Sequence, residues 1–88
     1  PFDRGAAAAA LGAIAGSVGS CKKADGPTGA GHVTVTFAPN GSVKAAVADS
    51  APYQGTPVGG CVAGKFRGAH IPPFSGSDQA VGKSFSIN

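Results

Sequence analysis

The chain has 88 residues, a single domain's worth, with 15 Gly, many Ala, no Met, Trp or Glu, and a formal net charge of +3. Its seven basic residues are scattered and only Lys22 and Lys23 adjoin, so no cationic stripe tracks a phosphate backbone, which argues against nucleic acid as a partner. A domain of this size buries only about 60–65% of the surface its unfolded chain exposes, and large apolar residues are few, so a covalent staple would matter.

The chain opens on Pro1 rather than Met, as expected of a fragment or processed product. Residues 2–21 place Leu11, Ile14, Val18 and Cys21 at steps of three, four and three, one face of a helix over 3–21 with Asp3 as its N-cap. Gly12, Gly16 and Gly19 each weaken that helix by about 1 kcal/mol relative to Ala, so packing must hold it. The apolar block is too short and too rich in Ala and Gly to cross a membrane. Val18-Gly19-Ser20-Cys21 resembles a lipoprotein cleavage box, but Arg4 is the only upstream cation and stands beside Asp3.

Residues 22–31 are read as a loop, with Lys22 and Lys23 just past the helix end, where cations suit the carbonyl dipoles. Residues 32–37 then alternate strictly. Val33, Val35 and Phe37 take one side and His32, Thr34 and Thr36 the other, as in a half-buried strand. Asn40-Gly41 signals a hairpin, and 42–48 form the return strand, with Val43, Ala45 and Val47 expected inward and Lys44 outward. After a loop over 49–55, Thr56-Pro57 is a start signal for a helix over 57–67. Val58, Cys61, Val62 and Phe66 form its apolar face, and Gly68 its expected C-terminal cap.

Pro72-Pro73 keeps the next segment extended, with Ile71 and Phe74 at the core's edge. Residues 80–88 form the last strand. Val81, Phe85 and Ile87 share a parity with Lys83, which must either snorkel at the sheet margin or be shifted by a bulge. The order α-β-β-α-β predicts an α+β domain spanning 1–88, a three-stranded antiparallel sheet with two helices on one face.

Cys21 and Cys61 are either two buried thiols or a disulfide. Both fall on inward helical stripes, and Gly-rich helices approach closely, which favours the bond. It would add about 4 kcal/mol on the loop-entropy model and would imply an oxidising compartment.

Catalytic and ligand-binding patterns are weak. Asp3, Asp25, Asp49 and Asp78 stand at element ends or in loops, where capping and turn chemistry explain them. A Cys61–His70 hydrolase pair is the one nucleophile–base combination that can be drawn. Cys21, Cys61, His32 and His70 lack the close spacing of zinc ligands, and Gly59-Gly60-Cys61 lacks the lysine and serine of a phosphate loop. No catalytic residue, metal, cofactor or small-molecule substrate is implied. The exposed strand positions are polar, unlike the aromatic platforms that stack bases.

The final strand is the remaining candidate. Gly82, Lys83, Ser84, Phe85, Ser86, Ile87 and Asn88 would offer main-chain groups to a visiting strand. The bland alternative is a solvated edge that Lys83 protects from aggregation.

Gly31-His32-Val33-Thr34-Val35-Thr36-Phe37, Asn40-Gly41-Ser42-Val43, a helix leading to Phe66, then Pro72-Pro73-Phe74 and a closing strand together resemble the TonB C-terminal domain family. The likeness covers residues 31–87. Gly55-Thr56-Pro57-Val58-Gly59-Gly60-Cys61, Ile71-Pro72-Pro73-Phe74-Ser75-Gly76 and an Ala-rich helix ending in Cys21 are similar to the periplasmic C-terminal domains of myxobacterial AgmX/GltJ-type gliding-motility proteins. The resemblance implies a periplasmic, non-enzymatic module of an inner-membrane protein. Such a module would carry motor-derived force or conformational energy to outer-membrane or periplasmic protein partners. The Ala/Gly-rich first helix and the cysteine pair depart from transport TonB, so a siderophore receptor is not the expected partner. A structural or oligomerisation module without a docking edge is the alternative.

Overall fold

The computed structural model describes all 88 residues, Pro1–Asn88. Helix α1 spans Arg4–Ala15 and is followed by a 3-10 turn at Val18–Cys21. Strands β1 (Gly29–Phe37) and β2 (Val43–Ala48) form a hairpin, helix α2 covers Pro57–Phe66, and strand β3 covers Gln79–Ile87. The sheet is antiparallel with order β2-β1-β3, which makes the α+β order α-β-β-α-β. Helix α1 packs over β3 and α2 over β2, so both helices cover one face of the sheet. No helix is long and apolar enough to cross a membrane.

Local signals account for most element starts. The Asp3 carboxylate accepts from the Ala6 amide at 2.9 Å, and the Thr56 hydroxyl accepts from the Gly59 amide at 3.0 Å with Pro57 in the first turn. In the hairpin, Gly41 takes a positive φ of 91° and the Asn40 carboxamide oxygen accepts from the Ser42 amide. Helix α2 ends on Arg67 in ordinary helical geometry rather than on Gly68.

The long first helix does not form as one piece. It stops at Ala15, where Gly16 contributes no side chain and the Ser17 hydroxyl donates to the Ile14 carbonyl at 2.9 Å. The chain restarts as a 3-10 turn, in which positions three apart eclipse. Val18 and Cys21 therefore both reach the core although the α-helical stripe was cut.

Val43 packs against the core as its alternation predicts, but beyond it the return strand takes the opposite inward parity. The pairing is Thr36 with Ala45 but Phe37 with Val43, so Lys44 is an extra residue in a bulge. A one-residue offset moves every following side chain to the other face. Ala46 and Ala48 are buried, Ala45 is exposed, and Val47, at 51%, is the one exposed large hydrophobic residue. Strand β1 also starts earlier than the sequence predicts, at Gly29 instead of His32.

The core gathers 19 buried apolar residues from every element. Val33, Val35, Phe37, Phe85 and Ile87 rise from the sheet to meet Leu11, Val18, Val58, Val62 and Phe66. Ile71 and Phe74 close one end, and Phe2 packs edge-on against Phe74 with ring centroids 5.1 Å apart. Cys21 and Cys61 are joined, with Cα atoms 5.7 Å apart. The two cysteines differ in environment. Cys21 is buried, whereas Cys61 lies exposed on the outer side of α2 rather than on its inward stripe.

Candidate functional site

Strand β3 lies at the edge of the sheet, and its pairing with β1 runs without interruption from Gly29–Ile87 to Phe37–Gln79. Lys83, opposite Val33, is accordingly half-buried at the margin without any bulge in its own strand. The direction of the backbone groups follows from β1. The Asp49 amide donates to the His32 carbonyl, and the His32 amide donates to the Ser50 hydroxyl, so His32 faces the β2 side with both groups. Alternation then turns Gly31, Val33 and Val35 towards β3, and their register partners Phe85, Lys83 and Val81 towards β1.

The residues between them point the other way. Ala80, Gly82, Ser84 and Ser86 direct their amides and carbonyls off the free edge, and all four are exposed. Of the candidate docking residues, Gly82, Ser84 and Ser86 thus stand on the open flank. Phe85 and Ile87 send their side chains into the core, and Asn88 lies just beyond the strand. The edge is an unpaired ladder with small side chains, which is what a visiting strand needs.

The sheet face away from the helices carries the main polar cluster. The Asp49 carboxylate takes the His32 imidazole Nδ1 at 2.7 Å and the Thr34 hydroxyl at 2.5 Å. These bonds, Thr34's first and His32's second, hold the Asp49 carboxyl below its ordinary value. The imidazole lies over Gly82, where an added Cβ would sit 2.6 Å from Nε2. Sequence reasoning assigned Asp49 to a loop and His32 to the outer strand face. The seventeen-residue separation hides that the hairpin brings them together. At the other end of the sheet Lys44 pairs with Asp78 at 2.8 Å, which raises the lysine's pKa.

The residues considered for other chemistry are dispersed or engaged. The Cys61 sulfur is bonded to that of Cys21, so it carries no thiolate for a pairing with His70. No three His, Cys, Asp or Glu side chains gather as metal ligands would. A cleft of about 400 Å³ separates the Lys23–Pro27 loop from the start of α2, with Lys23 and Asp25 as its charged lining.

These features define a class: a disulfide-clipped α+β domain whose three-stranded antiparallel sheet is open along β3. No known family model matches the chain, and neither does any curated protein or solved structure.

Proposed function

We propose that this domain is a non-enzymatic protein-interaction module that docks a partner's extended segment as a fourth strand beside β3. The observation that carries the proposal is the exposed flank of Ala80, Gly82, Ser84 and Ser86, with main-chain groups facing outward and no bulky side chain in the way. Main-chain hydrogen bonds would supply the affinity, and the outer-face side chains of alternate residues the selectivity. The disulfide is compatible with an oxidising compartment. Together with the resemblance of residues 31–87 to TonB-type C-terminal domains, it supports a periplasmic site of action. The parent would be an inner-membrane motor or energy-transducing protein, as in gliding motility, and the partners outer-membrane or periplasmic proteins.

The test uses proline placement. Ser84→Pro and Ser86→Pro each remove an outward amide without removing a bond to β1, so the domain should stay folded by circular dichroism. Both should abolish binding of extended peptides drawn from the periplasmic faces of outer-membrane proteins, measured by amide chemical shifts. Phe85→Pro, whose amide faces β1, should unfold the sheet. Undiminished peptide binding by folded Ser84→Pro would refute docking at β3.

A further inference from the structure

Selectivity at the β3 edge has a second source, on the helix side of the sheet. We propose that the strand docked antiparallel to β3 carries an acidic residue opposite Lys83, with an apolar residue two places along on the same face. The inference rests on docking at β3 and names the chemistry of the occupant.

Lys83 shares its parity with Val81, Phe85 and Ile87, and it lies half-buried on the face that α1 covers. Its backbone groups face β1, opposite Val33, so Lys83 gives a docked strand no main-chain bond. In an antiparallel pair, opposed residues that exchange no bonds stand closest, with Cα atoms about 4.5 Å apart. The visitor's residue opposite Lys83 is therefore among its closest side-chain contacts, and it lies on the helix side.

Covering that flank takes water from the Lys83 ammonium. Burying a cation costs free energy unless an opposite charge replaces the lost water. This chain supplies no such charge. Its two salt bridges join His32 to Asp49 and Lys44 to Asp78, and the Asp3 carboxylate accepts from the Ala6 amide at the start of α1. Asp25 lines the cleft before α2, and β3 itself contains no carboxylate. The counter-charge must come with the visitor, where it would form a charge-assisted hydrogen bond to the ammonium. Two places along, Val81 is half-buried against the core, so an apolar residue opposite it would extend that core by one strand.

Charge also argues against a second copy as the occupant. Antiparallel pairing of two β3 strands over their full length, Gln79–Ile87, centres on position 83 and sets Lys83 against Lys83. Like charges directly opposite each other repel. The residue that keeps the edge from joining its own kind thus favours an acidic strand.

The experiment adds three nine-residue peptides to the disulfide-intact domain. All alternate Val and Thr, with Val at the odd positions and with acetylated and amidated ends, and they differ only in a central Glu, Gln or Lys. The Glu peptide should shift the outward amides of Gly82, Ser84 and Ser86. It should bind about tenfold more tightly than the Gln peptide, the gain of one charge-assisted contact, and the Lys peptide should bind most weakly. Lys83→Met keeps the aliphatic stem and should erase the preference for Glu over Gln, whereas Lys83→Glu should reverse the order in favour of the Lys peptide. Shifts at β3 with equal affinity for the three peptides would overturn the acidic preference and leave docking in place. No β3 shifts with any of them at millimolar concentration would overturn both.

Discussion

Tyr53 lies in the connection between β2 and α2, yet its side chain is fully buried. Its ring packs against Phe85 at 4.9 Å and its hydroxyl donates to the Gly29 carbonyl at 2.5 Å. Gly31 makes room for both rings, since a Cβ there would meet Phe85 at 2.5 Å and Tyr53 at 2.6 Å. Tyr53→Phe should cost about 1 kcal/mol in urea unfolding, the net worth of one hydrogen bond. Gly31→Ala should cost more, about 1–3 kcal/mol, because two packed rings must move. Neither role was legible in the sequence, where Tyr53 sits among loop residues and Gly31 is the last residue of the predicted 22–31 loop. Asp49 was equally opaque, because its partners His32 and Thr34 lie on β1, across the hairpin. Its folded carboxyl titrates below the ordinary value of 3.8, so the unfolded chain binds protons first as pH falls. The stabilisation is complete above the ordinary value and is lost as pH falls through the folded one. The difference in urea midpoint between the parent and Asp49→Asn should therefore be constant near neutrality and shrink towards zero in acid.

At the scale of elements, capping and turn chemistry were readable because they are local. Asp3, Thr56-Pro57 and Asn40-Gly41 act through atoms within three residues of themselves. The parity of β2 was not readable. Lys44 inserts itself because Phe37 pairs with Val43, and that choice places the small Ala46 and Ala48 beneath α2. Valine at position 47 would crowd a helix that approaches through Gly59, Gly60 and Ala63. Helix α1 illustrates the complementary case. Its mean composition is poor for a stable core, but Leu11 and Ala7 are fully buried. Leu11→Ala should destabilise the domain by about 2–5 kcal/mol, measurable as a lowered urea midpoint with an unchanged slope. The order β2-β1-β3 leaves β3 with one unpaired flank, the edge position expected of the final strand, whereas which of its residues face that flank follows only from the register with β1.

Over the whole molecule, the disulfide links the 3-10 turn after α1 to the middle of α2 across a separation of 40 residues. Loop closure of that length is worth about 4 kcal/mol, a large part of the stability of so small a domain. Reduction, or the pair Cys21→Ser with Cys61→Ser, should lower the unfolding free energy by about that amount in urea titrations with and without a phosphine reductant. The N-terminal helix should then show the greatest gain in amide hydrogen exchange, since it is left held by the packing of Ala7 and Leu11 in the core and of Phe2 on Phe74 and Phe37. By itself, the sequence determined the element order, the helix and hairpin starts and the inward set of β1, because these depend on short-range periodicity and on residues with restricted backbone; it favoured the disulfide without deciding it. Tertiary structure alone decided where the first helix breaks, which faces of β2 and Cys61 meet solvent, that Tyr53 belongs to the core, and which backbone groups remain unpaired. Each of those outcomes depends on contacts between residues far apart in the chain, which local alternation cannot encode.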